Sequence, residues 1–256
     1  MFVFRPVNDD THERFSVLGA LHLTVDGTPH TLRGPKVNKV MALLLLRLGQ
    51  VVDVDVFIDE LWEERPPRWA VSTVRTHIYH LRGQLDEALG TPARHLLHTR
   101  QAGYVLDIDP ERLDATRFVR LSKEGERLLA LDRPAEAASA CHEALALWRG
   151  RALSTLRPGR VLAGHVDYLE ELRIHAQRIR VEAEMRAGRH RQLVPELRDL
   201  VAAHPFNEWF HQALVASLRE SGRRGEARTA FQALRTLLRD ELGIEPADEP
   251  LWSVPA

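Results

Sequence analysis

An internal repeat in the C-terminal half constrains the fold more than any other feature of this sequence. The segment at 186–200 matches the segment at 219–237 when Gly188 is aligned with Gly222, an offset of about 34 residues. The apolar positions that this alignment pairs are Leu193 with Ala227, Leu197 with Phe231 and Leu200 with Leu234. A period of this length is typical of tetratricopeptide arrays, whose helical pairs bury their apolar faces only against neighbouring pairs. The repeat therefore predicts a stack of helices with a concave surface on which partners bind.

The rest of the sequence after Pro110 fits the same helical pattern. Amphipathic segments separated by glycine, proline or polar residues lie at 114–130, 134–148, 161–187, 190–203, 207–221 and 224–241. The helical pair that includes Cys141 and Trp148 is a candidate for a further copy, out of phase with the other two. We expect an all-α, tetratricopeptide-like domain over 110–247 and a C-terminal tail at 248–256.

Before Pro110 the pattern changes, because strand signals precede the first helix. Residues 1–13 mix charged and polar side chains without periodicity, which predicts a flexible N-terminal arm. Short strands are predicted at 15–18 and 21–25, and the pair Asp26-Gly27 that follows is a tight-turn signal. A small antiparallel sheet is therefore expected at the start of the fold.

Two predicted helices follow this sheet. The first begins after Gly34-Pro35 and ends before Gly49, with apolar residues at helical spacing between them. Asp53 is a candidate cap for a second, short helix, which the sequence Arg-Pro-Pro at 65–67 ends.

The third predicted helix begins near Pro67 or Arg68 and has one apolar and one polar face. Its apolar residues fall at i, i+3, i+7, i+10 and i+14 and predict a buried stripe of Val71, Val74, Ile78, Leu81 and Leu85. The opposite face is predicted to carry Ser72, Thr76, Tyr79, His80 and Gly83, with Arg75 and Arg82 beside it. No acidic residue occurs between Arg65 and Arg82.

A helix with one buried face, a polar face of short side chains and arginines along its border suits recognition of the DNA major groove. On its own the pattern slightly favours an ordinary surface helix. The next segment favours DNA recognition, because strands predicted at 96–99 and 104–108 form a hairpin around residues 100–103. Strands, three helices and a terminal hairpin predict a winged-helix domain over 14–109, with Arg100 near the tip of a wing in the minor groove.

The expected fold is mainly helical with a small β component, and the expected partner is double-stranded promoter DNA. The predicted DNA contacts are Arg68, Ser72, Arg75, Thr76, Tyr79, His80, Arg82 and Arg100. The sequence does not divide these residues between bases and phosphates.

The net charge of −1 argues against a diffuse electrostatic attraction to nucleic acid. Lysine occurs only at Lys36, Lys39 and Lys123, so nearly all positive charge is arginine, which suits bidentate contacts to phosphate or guanine. A GC-rich genome explains the same bias equally well. A basic loop with arginines at 149, 151, 157 and 160 is also present, and solvation is favoured over contact with DNA or polymerase there.

No sequence motif for catalysis, phosphate binding or metal binding is present, so we expect no enzyme activity, no cofactor and no metal site. Cys141, the single cysteine, is predicted to be a small buried apolar residue. The longest apolar run, Met41–Leu46, is too short to span a bilayer, and the N-terminus lacks a secretion signal. A cytoplasmic, nucleoid-associated protein without a membrane partner is expected.

In the order of its motifs the sequence resembles the Streptomyces antibiotic regulatory proteins, a family of actinobacterial pathway-specific activators. The resemblance runs from about Arg14 to Pro246. Its carriers are FSVLG at 15–19, GPKVNKVMALLLL at 34–46, VFIDELW with RPP at 56–67, VRTHIYHLR at 74–82, AGYVLDI at 102–108, ALALWRGRAL at 144–153, HPFNEWFHQALVASLRESGRRGEARTAF at 204–231 and LRDELGIEP at 238–246. The chain departs from the family at Gly83, where a basic residue is common, and at Tyr79, where a small residue is common.

The resemblance implies an OmpR-like winged helix that binds direct repeats at promoters, followed by a bacterial transcriptional activation domain. It also implies recruitment of RNA polymerase, with its sigma factor, to genes of secondary metabolism, and two protomers arranged head to tail on DNA. The alternative is a tetratricopeptide-type interaction scaffold whose N-terminal domain does not bind DNA, and the near-zero net charge supports it.

Overall fold

The computed structural model describes residues 13–247, so residues 1–12 of the predicted arm and the predicted tail at 248–256 lie outside the described residues. The chain forms two compact units. The first unit contains the residues up to Ser122 together with 143–174, and the second contains 123–142 together with the residues from His175 onward. The first unit extends past the domain boundary predicted at residue 110, and that boundary stays a prediction.

Six short strands and nine α-helices lie within residues 13–247, and the mainly helical class with a small β component is confirmed. The strands are β1 (Arg14–Ser16), β2 (His22–Val25), β3 (Thr28–His30), β4 (Val52–Asp53), β5 (Leu97–Thr99) and β6 (Gly103–Leu106). The helices are α1 (Pro35–Leu46), α2 (Val54–Trp62), α3 (Ala70–Leu89), α4 (Asp114–Ala130), α5 (Pro134–Ala146), α6 (Arg160–Arg186), α7 (His190–Ala203), α8 (Glu208–Glu220) and α9 (Arg224–Leu242). No described helix has the length and apolar character needed to cross a membrane.

The first unit contains two antiparallel sheets, one of order β1-β2-β3 and one of order β4-β6-β5. The predicted first strand ends earlier than expected, because the amides of Val17 and Leu18 leave the sheet. They donate to the two carboxylate oxygens of Asp114, at 2.9 and 3.2 Å. A buried carboxylate from α4 therefore replaces a strand partner at this point.

Helices α1, α2 and α3 pack against one another and form the core of the first unit. The run from Val40 to Leu45 in α1 is at most 1% exposed, so α1 is buried all round along this stretch. Phe57 of α2 is also fully buried and contacts the edge of Tyr104 of β6, with ring centroids 6.1 Å apart. Asp53 is the residue before α2, as predicted, but its side chain makes no capping hydrogen bond.

A second buried carboxylate, that of Glu60 in α2, caps α6. One oxygen accepts a hydrogen bond from the amide of Gly159 at 2.5 Å, and the other accepts from the amide of Leu162 at 2.9 Å. Lys39 balances the charge, with its Nζ 3.3 Å from the carboxylate. Because the first amides of a helix have no partner within the helix, Glu60 supplies from a distant segment what a local cap would supply. A Cβ at position 159 would collide with the carbonyl oxygen of Glu60, so the close approach requires glycine there.

The second unit contains the predicted repeat. Gly188 and Gly222 both adopt left-handed backbone geometry, with φ of 75° and 76°. Each amide donates to the equivalent carbonyl of the preceding helix, that of Met185 or Arg219, at 2.9 Å in both cases. Asp132, between α4 and α5, has φ of 54° and the same type of bond, which supports an earlier copy out of phase with the other two.

Burial within the repeat agrees with the alignment at two of the three paired positions. Leu193, Ala227, Leu200 and Leu234 are buried, and so is Leu197. Its aligned partner Phe231 is 41% exposed, so these two positions of the repeat differ in burial. The reason is that α9 is the last helix of the described array and has no following helix to pack against.

Cys141 is fully buried in the second unit, in a cluster with small residues of α5 and α6. Burial raises the pKa of its thiol to about 11, which keeps the thiol protonated and unreactive. Cys141 is therefore a packing residue, as predicted.

Candidate nucleic-acid interface

Helix α3 begins at Ala70, later than the predicted start near Pro67 or Arg68. The amide of Ala70 donates to the carbonyl of Pro67 at 2.9 Å, which makes a turn before the helix. The hydroxyl groups of Ser72 and Thr73 both donate to the carbonyl of Trp69, at 2.8 and 3.1 Å. Arg68 therefore precedes the helix and lies exposed in the turn.

The buried face of α3 differs from the predicted stripe at its first position. The buried residues of the helix are Ala70, Val74, Ile78, Leu81, Leu85 and Leu89. Val71 is 43% exposed, so its assignment to the core is wrong. Ala70 precedes Val74 by four residues and lies on the same side of the helix, whereas Val71 is turned about 100° away from Ala70.

The opposite face carries the predicted polar residues and is exposed. Its members from the prediction are Ser72, Arg75, Thr76, Tyr79 and His80. Tyr79 is 74% exposed and contacts only the edge of the neighbouring His80 ring, with centroids 5.7 Å apart. The Thr76 hydroxyl donates to the Ser72 carbonyl at 3.1 Å, which leaves its methyl group and oxygen lone pairs available. Since the described part of the chain leaves this face uncovered, it is accessible to a duplex.

Arg82 is placed differently from the other arginines. Its Nη2 donates to the carbonyl of Leu97 at 2.8 Å and to the Thr99 hydroxyl at 3.1 Å, and its Nε donates to the same carbonyl at 3.3 Å. These bonds tie α3 to β5. The guanidinium thus sets the position of the hairpin relative to the helix, whichever contacts it makes with DNA.

The hairpin of β5 and β6 has the form of a wing. At its tip the amide of Arg100 donates to the carbonyl of Gly103 at 2.8 Å, and the Arg100 side chain is exposed. Gly103 is required because a Cβ there would collide with the carbonyl oxygen of Val52 in β4. Strand β4 therefore packs closely against β6 of the hairpin.

The cations of this surface have no carboxylate partners. The side chains of Arg68 and Arg75 make no hydrogen bond or ion pair with any other residue between 13 and 247. Among the described residues the Arg100 side chain makes only a 3.4 Å contact, with the neighbouring Thr99 carbonyl. Unpaired guanidinium groups on an exposed surface are available for charge-assisted bonds to phosphate or guanine.

His77 is a half-buried residue of α3 that is not one of the predicted contacts. Neither ring nitrogen has a hydrogen-bond partner in the structure. Burial, and then the nearby positive charge of Lys36 and the neighbouring His80, lower the pKa of His77. The ring is therefore neutral at neutral pH and lies half-buried at the edge of the buried face of α3.

Sequence patterns missed two apolar residues at this surface. Trp69 is 67% exposed in the turn before α3, and Val71 follows it. With Tyr79 they are three of the five exposed large hydrophobic residues among the described residues of the first unit. Val71 and Val74 are three residues apart, so the spacing suggested that both are buried. The position of Trp69 between Arg68 and the start of the helix was the sequence feature that could have indicated its exposure.

Among the residues described, no three histidine, cysteine, aspartate or glutamate side chains are grouped so as to hold a metal ion.

Comparison with known families matches both parts of the chain. Residues 28–106 match the model of the transcriptional regulatory protein C-terminal domain, and residues 113–250 match the bacterial transcriptional activator domain. The regulatory protein DnrI of Streptomyces peucetius is 38% identical over 91% of this chain and 88% of its own length. The transcriptional regulator RedD of Streptomyces coelicolor is 32% identical over 94% of this chain and 72% of its own length.

A solved structure is also similar. It is that of Mycobacterium tuberculosis EmbR in complex with a low-affinity phosphopeptide, with a TM-score of 0.88 and 33% identity. The match covers 93% of this chain and 63% of the EmbR chain. A winged-helix part with an exposed, arginine-bearing helix, followed by helical repeats, defines a transcriptional regulator rather than an enzyme. The chain belongs to the Streptomyces antibiotic regulatory protein family, whose members include relatives of the DnrI and RedD type.

Proposed function

We propose that this regulator is a transcriptional activator that binds direct repeats in promoter DNA and recruits RNA polymerase through its sigma factor. The observation that carries the proposal is the exposed face of α3, on which Arg75, Thr76 and Tyr79 are uncovered and Arg75 has no protein partner within the described residues. The phosphates and base edges of a DNA duplex can act as hydrogen-bond partners for the exposed polar side chains of this face.

In the proposed complex α3 enters the major groove and the wing lies along the neighbouring minor groove. Arg75 is placed to bond guanine or phosphate, and Thr76 and Tyr79 lie one and four residues further along the same face. Arg68 and Ser72 are placed near the N-terminal end of the helix, where amides favour phosphate. His80 borders the same face.

Two arginines have other parts in this proposal. Arg100 at the tip of the hairpin enters the minor groove. Arg82 keeps the wing at a fixed distance from α3 through its bonds to Leu97 and Thr99, so both elements meet the duplex together.

The division into a winged-helix domain over 14–109 and an activation domain over 110–247 is part of the proposal. The family matches to 28–106 and 113–250 support it. Repeats of helical pairs present surfaces for protein partners, so we assign polymerase contact to the activation domain. A regulator of this kind acts on the chromosome, in the cytoplasm, and the family membership supports control of a secondary-metabolite gene cluster.

Footprinting of the purified full chain on the promoters next to its own gene tests the proposal. We expect two protected half-sites in direct repeat, about one helical turn apart, as two protomers bound head to tail on one face of the duplex require. An isolated half-site or an inverted repeat would contradict this arrangement.

A matched pair of variants tests the interface itself. Arg75→Ala should weaken binding to the protected fragment about tenfold, whereas Arg191→Ala, which removes an exposed arginine of the second unit, should not. Thermal unfolding of both variants should match that of the native chain. Binding that is absent, or insensitive to added salt, would support the interaction scaffold instead.

A further inference from the structure

Val71 is an exposed aliphatic residue at the N-terminal end of α3. It is 43% exposed in the first turn of α3, although the neighbouring Ala70 and Val74 are buried. A β-branched residue is also a weaker helix former than alanine, so its presence does not favour the helix. Of the exposed large hydrophobic residues between Trp69 and Tyr79, it alone is aliphatic.

Its position places it within the proposed DNA-binding face. Val71 and Ser72 occupy one turn, Arg75 and Thr76 the next, and Tyr79 the one after, so these residues line one side of the helix at intervals of about four. The N-terminal part of a recognition helix is the part that reaches base edges. Val71 therefore lies at the end of α3 where sequence is recognised.

The chemistry of the major groove offers one partner for an aliphatic side chain. Guanine, cytosine and adenine present hydrogen-bond donors and acceptors there, whereas thymine also presents its 5-methyl group. Resting on the proposed function, we infer that Val71 contacts a thymine methyl group and is a specificity-determining residue. Arg75, one turn further along, would then bond a base or phosphate beside that thymine.

Replacement of thymine by deoxyuridine isolates this contact, because it removes the methyl group and leaves base pairing unchanged. Each thymine of the footprinted fragment is replaced in turn, and binding of the full chain is measured at fixed salt. One position in each half-site should lose about fourfold in affinity, the effect expected when one methyl-sized apolar group is no longer buried.

The variant Val71→Ala completes the cycle. It should lose about the same factor on the thymine fragment and should no longer distinguish thymine from deoxyuridine at that position. Val51→Ala is the matched control, because Val51 has nearly the same exposure, 45%, and lies in the first unit outside α3. Both variants should unfold at the temperature of the native chain, since neither residue is buried.

The outcomes separate this inference from the proposed function. Native protein that binds its repeats equally well with deoxyuridine at every position would overturn the role of Val71 and leave DNA binding intact. The same conclusion would follow if Val71→Ala kept the full sensitivity to the methyl group, since another residue would then contact it. Failure to bind any promoter fragment would overturn both.

Discussion

Arginine is used differently in the helical repeats of the second unit and on the α3 face of the first. In the second unit most of the arginines form ion pairs, along one helix as Arg186 does with Glu182, or between helices as Arg198 does with Glu226. On the α3 surface Arg68 and Arg75 have no such partner within the described residues.

This difference explains why a net charge of −1 is a poor guide to function here. The net charge counts every charged residue of the chain. Ion pairs such as those of the second unit contribute little to the local field, whereas unpaired guanidinium groups on α3 contribute fully. A duplex responds to the local field, which acts over about 10 Å at ordinary salt. The local distribution of charge, rather than the sum, therefore bears on whether a surface binds DNA.

The largest expected loss of stability concerns a buried ion pair of the first unit, between Glu60 and Lys39. Glu60→Ala removes a fully buried carboxylate that caps α6 and faces Lys39, so two amides and an ammonium group lose their partner. We expect a loss of about 3–5 kcal/mol in the free energy of unfolding. Urea unfolding measures it.

An exposed ion pair of the second unit, formed by Glu226, is the control for this substitution. Glu226→Ala removes a carboxylate that binds Arg198 and Arg223 on the surface of the second unit. Its effect on the free energy of unfolding should be much smaller than that of Glu60→Ala, because exposed ion pairs are weak. Equal losses for Glu60→Ala and Glu226→Ala would show that burial does not distinguish the two kinds of pair.

The next prediction distinguishes Arg75 from Arg82, which the sequence pattern places together beside the polar face of α3. Arg82→Ala leaves the carbonyl of Leu97 without its donor and should cost about 1–3 kcal/mol of stability as well as DNA affinity. Arg75→Ala should reduce DNA affinity while the melting temperature stays at the native value. Melting curves and binding isotherms on the same preparations test this, and unchanged stability of Arg82→Ala would mean that its bonds to β5 contribute nothing.

Salt dependence gives a smaller but more specific measure. If Arg75 neutralises a phosphate, Arg75→Ala should reduce the slope of log affinity against log salt by about 1. Arg223→Ala, which removes a paired arginine of the second unit, should leave the slope unchanged. A slope unchanged by Arg75→Ala, together with weaker binding, would assign Arg75 to a base instead.

Periodicity predicted most of the fold because helices were long and their apolar spacing was regular. The predicted bounds of α4 and α7 agree with the structure, and the turns at Gly188 and Gly222 have the geometry that the repeat implied. The ends of short elements were less predictable. The strand predicted at 15–18 stops early because Asp114, about a hundred residues away, binds its amides.

The candidate site shows the same limit. The exposed face of α3 follows from helical spacing, so Thr76 and Tyr79 were placed on it correctly. The bonds of Arg82 to β5 and the exposure of Val71 depend on tertiary contacts, which spacing alone does not contain. The capping of α6 by Glu60 likewise joins two segments that no local pattern connects.

The smallest effect concerns the neutral, half-buried imidazole of His77 in α3, which has Lys36 and His80 as charged neighbours. Because burial lowers the pKa of His77 below its ordinary value of 6.5, the unfolded chain takes up a proton at a pH at which the folded chain resists it. The contribution of His77 to stability is therefore fully present above about pH 6.5 and declines as the pH falls toward the folded pKa. His165 and His211 have pKa values shifted in the same direction and add to this decline.

His77→Gln should therefore make the melting temperature depend less on pH between 7.5 and 5.5, while the native chain loses stability over that range. His142→Gln, which removes an exposed histidine of the second unit, controls for the loss of an imidazole as such. Bound DNA should oppose the effect, since nearby phosphates favour the protonated ring and restore the charge balance that α3 lacks in the free protein. A pH dependence that is the same in His77→Gln as in the native chain, with and without DNA, would show that this imidazole does not respond to the uncompensated charge around it.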